Sequence, residues 1–184
     1  HLGIPVPPSG RVYREFEYVT HVSEAAKYVA GRPVELWIDP GYGGAYAILV
    51  VQSSGELVDI IDEVYVQRLI NDEVIALCQK RGWWKDVQPY GVIDIAGHAH
   101  AAERSPIEAW MEQAGIHLES NFVHINDSIA RVRSFLRFDS ILGRPGVLVN
   151  PKCLGLIAEM GAGKHPIEGM GVYRYKTDSF GNVL

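Results

Sequence analysis

"LWIDPGYGGAYAILVV", Leu36–Val51, places one acid, Asp39, between two apolar runs at the point where a glycine-rich turn begins. A charge inside a core is costly unless it is paired or bound to a metal. At the rim of a sheet the same carboxylate is well placed to hold a cation. The runs on either side of the turn, Val34–Asp39 and Gly43–Gln52, are rich in β-formers and read as strands. Ser53–Glu56 supplies a second turn, and Leu57–Val66 reads as a third strand. Connections this short join antiparallel neighbours, so the three strands form a meander. Glycines at 41, 43 and 44 leave room beside Asp39 for backbone or substrate.

Downstream the pattern changes to alternating helices and strands. "NDEVIALCQKRG", from Asn71 to Gly82, has helical spacing of Val74, Ile75, Leu77 and Cys78. "YGVIDIAG", Tyr90–Gly97, reads as a short apolar strand interrupted by Asp94. Ser105, Pro106 and Glu108 make a strong helix start, and Gly115 marks its stop. Phe122–Ile125 is expected to be a strand, and Asp127 to cap the helix that follows it. Gly146–Asn150 reads as a strand, Cys153–Met160 as a short helix, and Thr177–Asn182 as a hairpin tip. The order predicts an α/β fold with a mixed sheet and helices on both faces. A crossover helix would set strands one and four side by side and parallel, bringing Asp39 near Asp94. Two carboxylates on adjacent strands suit Mg2+ or Mn2+, which favour hard oxygen ligands. Two such ions about 4 Å apart can hold the attacking water and the leaving oxygen of a phosphodiester cleavage.

Composition sets the outer bounds. The 184 residues are 47% hydrophobic and 21% charged, which fits one globular domain. No apolar run approaches the roughly 20 residues of a membrane helix. Cys78 and Cys153 lie in apolar surroundings and make no disulfide framework, which suits a reducing cytoplasm. Net charge is −5, so attraction to nucleic acid must come from local clusters. The best cluster is Arg131, Arg133 and Arg137 on one predicted helix, followed by Arg144 and Lys152. Arg133 and Arg137 would share a helix face. Arg174 and Lys176 alternate with Tyr173 and Tyr175 on the closing strand.

"ELWIDPGYGGAYAILVV", "DIIDEVYVQ", "VIDIAG", "SIARVRSFL" and "VLVNPKCLGLIAEM...YRYKTDSFGN", in this order and spacing, resemble the C-terminal nuclease domain of the large terminase subunit of tailed bacteriophages. The resemblance covers roughly Val12 to the end. It implies an RNase H-like (RuvC-like) fold and a two-metal endonuclease that cuts double-stranded DNA during genome packaging in the host cell cytoplasm. It implies catalytic, metal-binding roles for Asp39 and Asp94, with Mg2+ or Mn2+ as cofactor, in two copies. It further implies an ATPase domain ahead of a linker at residues 1–11, with the nuclease domain at 12–184, and the portal and small terminase subunit as partners. The family's third metal-binding acid is expected beyond Leu184, with Asp178 as the weaker fallback.

Other readings stay open beside this one. Glu63 can sit behind the metals or face the sheet edge, and His98 and His100 can bind metal or belong to a loop. "GAGK", Gly161–Lys164, fails as a phosphate-binding loop because Ala158 stands where its first glycine belongs and His165 where Ser or Thr is needed. A Holliday-junction resolvase shares the Asp-Pro-Gly opening. Actin-like and sugar-kinase ATPases also open on an Asp and a glycine turn but need a second phosphate loop. A docking module without catalysis is the remaining class.

Overall fold

The computed structural model describes residues 11–94, 104–164, 166 and 167. In chain order the elements are α1 (Tyr18–His21), β1 (Glu35–Asp39), β2 (Tyr46–Ser54), β3 (Leu57–Val66), α2 (Asn71–Gln79), β4 (Tyr90–Ile93), α3 (Pro106–Ala114), β5 (His117–Glu119), α4 (Ile125–Leu136), β6 (Phe138–Asp139), β7 (Arg144–Pro145), β8 (Val147–Val149) and α5 (Leu154–Glu159). They fall into two compact units, Ala26–Phe122 and the segments flanking it. Among the described residues no helix is long and apolar enough to cross a membrane.

In the Ala26–Phe122 unit the strands run in the order β5-β4-β1-β2-β3. β1, β2 and β3 form the antiparallel meander, while β4 joins β1 and β5 joins β4 in parallel. This is the mixed sheet of an RNase H-like fold. Period-two alternation sorts the faces. Leu36 and Ile38 of β1 and Ile48 and Val50 of β2 are buried against Val74, Ile75 and Cys78 of α2 and Ala109 and Trp110 of α3. Both helices of this unit therefore cover the same face. A polar chain crosses that core. The Trp110 indole N–H donates to Tyr46 Oη at 3.0 Å, and the Tyr46 hydroxyl donates to Asn71 Oδ1 at 3.2 Å. Burial pushes the Tyr46 pKa up to about 12, so the hydroxyl keeps its proton.

The helix signals around α3 work as their chemistry dictates. Ser105 and Glu108 form a reciprocal capping box, with the Ser105 backbone N–H donating to Glu108 Oε2 at 2.8 Å. Gly115 takes φ 68°, a left-handed C-cap. Cys78 and Cys153 are buried thiols that form no disulfide.

β3 carries a bulge, because Val50 pairs with Asp62 while Val51 pairs with Ile60. The bulge turns Asp62 inward, where it is 5% exposed. Its carboxylate accepts the Trp83 indole N–H at 2.7 Å and the Glu63 backbone N–H at 2.9 Å, with Arg81 Nη1 3.9 Å away. Trp83→Phe takes one donor from a buried carboxylate and should cost about 1–3 kcal/mol. The check is urea unfolding, in which the midpoint falls at unchanged slope. An unchanged midpoint would show that the bond contributes nothing.

The strand expected at 122–125 and the start of α4 differ from the sequence expectation. Phe122–Ile125 is not a strand. The strand is His117–Glu119, where Leu118 is buried, whereas Phe122 is 74% exposed. β5 pairs with β4 through Tyr90↔His117 and Gly91↔Leu118, and it begins directly after the Gly115 cap. α4 starts at Ile125 with His124 as N-cap, so Asp127 lies in the first turn rather than at the cap. There its charge still favours the helix dipole. β4 ends at Ile93, and the expected continuation through Gly97 lies outside the described residues. The hairpin at Thr177–Asn182 and residues 1–10 of the expected linker also lie outside them.

In the flanking unit, Phe16 stacks on His21 with ring centroids 5.1 Å apart. His21 is buried, and its Nε2–H donates to the Leu136 carbonyl at 2.8 Å, which fixes the end of α4. Val22 bridges Val149 of β8 in parallel, and the Ser23 N–H donates to the Val149 carbonyl at 2.9 Å.

Candidate active site

Asp39 is the last residue of β1, and Asp94 directly follows β4. The parallel register pairs Ile38 with Ile93, and the Asp94 N–H donates to the Ile38 carbonyl at 2.9 Å. The two acids are thus the next pair in line, on strands about 4.8 Å apart. Both are exposed, while their neighbours Ile38 and Ile93 are buried. Alternation therefore sets both on the face opposite α2 and α3, at the C-terminal ends of two adjacent parallel strands. The structure brings these two predicted residues together.

Cross-strand pairing extends the same face. Asp39 pairs with Ala47, which pairs with Tyr65; one row back, Trp37 pairs with Leu49, which pairs with Glu63. Glu63 is half-buried and lies on the acid face, two strands from β1. The bulge at Val50/Val51 leaves Glu63 and Tyr65 on this face and Asp62 on the other. Among the described residues no group of three or more His, Cys, Asp or Glu is clustered tightly enough to hold a metal, so the site they form is a carboxylate pair. His98, His100 and Asp178 lie outside the described residues, as do Arg174 and Lys176.

The glycine loop divides into two parts. A Cβ on Gly41 would run into the Ala45 carbonyl, so Gly41 serves the closure of the turn. Gly43 and Gly44 face open space, with nothing within 4 Å of an added Cβ. The room foreseen beside Asp39 is thus at 43 and 44. The end of β3 pins the loop. The Gln67 amide donates to the Gly43 carbonyl at 2.9 Å, and the Arg68 N–H to the Tyr42 carbonyl at 3.1 Å.

The predicted basic residues lie in the flanking unit. Arg131 is exposed on α4. Arg133 is tied to Glu15, its Nε–H donating to Glu15 Oε1 at 2.6 Å. Burial pushes the Glu15 pKa up, but the bond and charge of Arg133, helped by Arg137, win and hold it below the usual range. Arg137 is exposed and extended, with φ −70° and ψ 137°, because the chain leaves α4 there for the β6–β7 hairpin. Arg133 and Arg137 consequently do not stack on one helix face. Lys152 is exposed in the turn before α5. Gly161–Lys164 follows a helix instead of opening one, contrary to the needs of a phosphate loop.

No protein-family model and no curated protein sequence matches the chain. Solved structures do. The nuclease domain of the P22 large terminase aligns with 96% of this chain and 84% of its own, at 13% identity and TM-score 0.65. The chain has the large-terminase nuclease fold. The cobalt-bound large terminase nuclease of thermophilic phage G20c covers 97% of this chain and 88% of its own, at 12% identity and TM-score 0.55. A further large terminase, also from a thermophilic bacteriophage, covers 88% of this chain at 16% identity and TM-score 0.63, and this chain spans 38% of its length.

Proposed function

We propose that this chain is the nuclease domain of a phage large terminase, a divalent-metal-dependent endonuclease that cuts double-stranded DNA during genome packaging in the host cytoplasm. The observation that carries the reading is the adjacency of two exposed acids, Asp39 and Asp94, on one face of the sheet at the ends of β1 and β4. Two carboxylates, which among the described residues form no cluster with a Cys or His, fit Mg2+ or Mn2+. The cobalt-bound nuclease of G20c supports a divalent ion. A second ion would draw on a further acid, for which Glu63 is on the correct face. In the whole protein the partners would be an ATPase domain ahead of this one, the portal and the small terminase subunit.

A bound divalent ion supplies Lewis acidity, lowering the pKa of a water and neutralising phosphate charge. The chain contributes geometry. Strand pairing fixes the spacing of the two carboxylates, and the open side of Gly43 and Gly44 lets a nucleic-acid backbone approach Asp39. The test is plasmid nicking with Mg2+ or Mn2+, compared with cleavage of a four-way junction. Nicking of linear and supercoiled duplex supports the terminase reading. Activity confined to the junction would favour a resolvase.

Arg131, Arg137 and Lys152 are proposed to contact phosphate, and Arg133 is proposed to be held back by Glu15. Arg131→Gln should lower the salt slope of duplex binding by about one, and Arg133→Gln by less. Glu15 has a lowered pKa, so the Glu15–Arg133 tie is present above the ordinary carboxylate range and is lost as pH falls through the lowered value. Glu15→Gln should therefore release Arg133 at neutral pH and tighten duplex binding by up to about fivefold, the worth of an exposed ion pair. Fluorescence anisotropy across a salt series checks both expectations. Equal slopes for the two arginine variants would refute the restraint.

A further inference from the structure

We propose that Arg68 is a phosphate-binding residue that positions the DNA strand at the carboxylate edge. The inference rests on the nuclease reading above and adds a residue to it. Arg68 has φ +58°, and among the described residues it is the only non-glycine with a positive φ. A side chain in the left-handed region is strained, by about 1–3 kcal/mol at functional sites, and persists when surrounding contacts enforce it. Here they do. The Arg68 N–H is committed to the Tyr42 carbonyl at 3.1 Å, and the preceding Gln67 holds Gly43. Glycine or asparagine would ordinarily occupy such a turn. An arginine there puts a long cation where a small residue suffices for the backbone.

The topology says where that cation stands. β3 is antiparallel to β2, and β2 to β1, so β3 runs parallel to β1. The C-terminal ends of β1, β3 and β4 therefore share one edge of the sheet. Tyr65 lies in the Asp39 row, and Arg68 is three residues past it, beyond the carboxylates in the direction of the glycine loop. Arg68 is exposed, and among the described residues no carboxylate lies within ion-pair distance of it. A guanidinium presents a fork of donors that matches phosphate oxygens. A strand with one phosphate at the carboxylates has its neighbours within reach of a cation on this edge. Tyr42, 63% exposed on the loop that Arg68 pins, offers an aromatic surface beside it.

The experiment measures binding of a fluorescein-labelled linear duplex in magnesium-free buffer over a salt series, for the wild-type chain, Arg68→Gln and Arg68→Gly. Plasmid nicking with Mn2+ is measured in parallel, with Asp39→Asn as the control. Arg68→Gln should lower the salt slope by about one and weaken binding about tenfold at low salt. Arg68→Gly should weaken binding equally with no fall in melting temperature, because the backbone geometry suits glycine. A wild-type slope in Arg68→Gln, or wild-type affinity in Arg68→Gly, would reduce Arg68 to a turn residue whether or not the chain cuts DNA. A reduced slope in a protein that does not nick would keep the Arg68 contact and remove the nuclease reading.

Discussion

Asp39→Asn and Asp94→Asn should each abolish metal-dependent nicking of plasmid DNA while the domain stays folded. Asparagine keeps nearly the shape of aspartate but loses the charge that makes a carboxylate a ligand for a hard cation. Loss of a group that merely supports a metal ligand already costs 10–100-fold. Removal of a ligand itself should exceed about two orders of magnitude in rate. The folded state should not suffer, since both side chains are exposed at the rim. Taking one charge from two adjacent carboxylates also relieves like-charge repulsion, so the melting temperature without metal should rise slightly. Three measurements separate the parts of the argument: nicking rate, Mn2+ titration by calorimetry, and thermal melting in chelator. Wild-type nicking by either variant would remove that residue from the site. Lost nicking with a collapsed melting temperature would show that the residue acts through the fold.

What the sequence disclosed follows from how locally each feature is encoded. The β1–β2–β3 meander was legible because short turns leave few alternatives to antiparallel pairing, and β3 spans Leu57–Val66 as expected. The β1–β4 adjacency was legible because a crossover helix forces a parallel neighbour. Asp39 and Asp94 stood out as charges in apolar runs. Other features depend on contacts between distant residues. Arg133 was expected to be available to DNA, but its partner Glu15 lies 118 positions away. The inward turn of Asp62 comes from a bulge that "DIIDEV" does not announce, since a strict alternation through it reads equally well. The strained backbone of Arg68 is a conformational fact with no compositional mark. Residues 122–125 misled because three β-forming apolar residues in four, Phe122, Val123 and Ile125, satisfy a strand pattern, whereas pairing selected His117–Glu119, next to the Gly115 cap.

Gly91→Ala should disable the site from a distance by separating β4 from β1. Gly91 is buried in the middle of β4, between β1 on one side and β5 on the other. A Cβ there would sit 2.7 Å from the Leu36 carbonyl oxygen and 3.1 Å from Leu118 Cδ2. The first contact is with backbone, which cannot turn aside as a side chain can. Relief requires β4 to shift away from β1, and the Leu118 side chain resists that movement from the other side. Overpacking of this kind costs about 1–3 kcal/mol. The functional effect should be larger than the stability loss suggests. Asp94 is three residues further along the chain, and its placement opposite Asp39 depends on the same ladder, including the Asp94 N–H bond to Ile38. A small displacement of β4 should therefore weaken Mn2+ binding and nicking about tenfold or more. Gly43→Ala is the matched control, because a Cβ at that position meets nothing within 4 Å. The expected result is a lower urea midpoint and weaker Mn2+ binding in Gly91→Ala, with neither changed in Gly43→Ala. If Gly91→Ala binds Mn2+ as the wild type does despite a lowered midpoint, the carboxylate spacing does not depend on the close approach of β4 to β1.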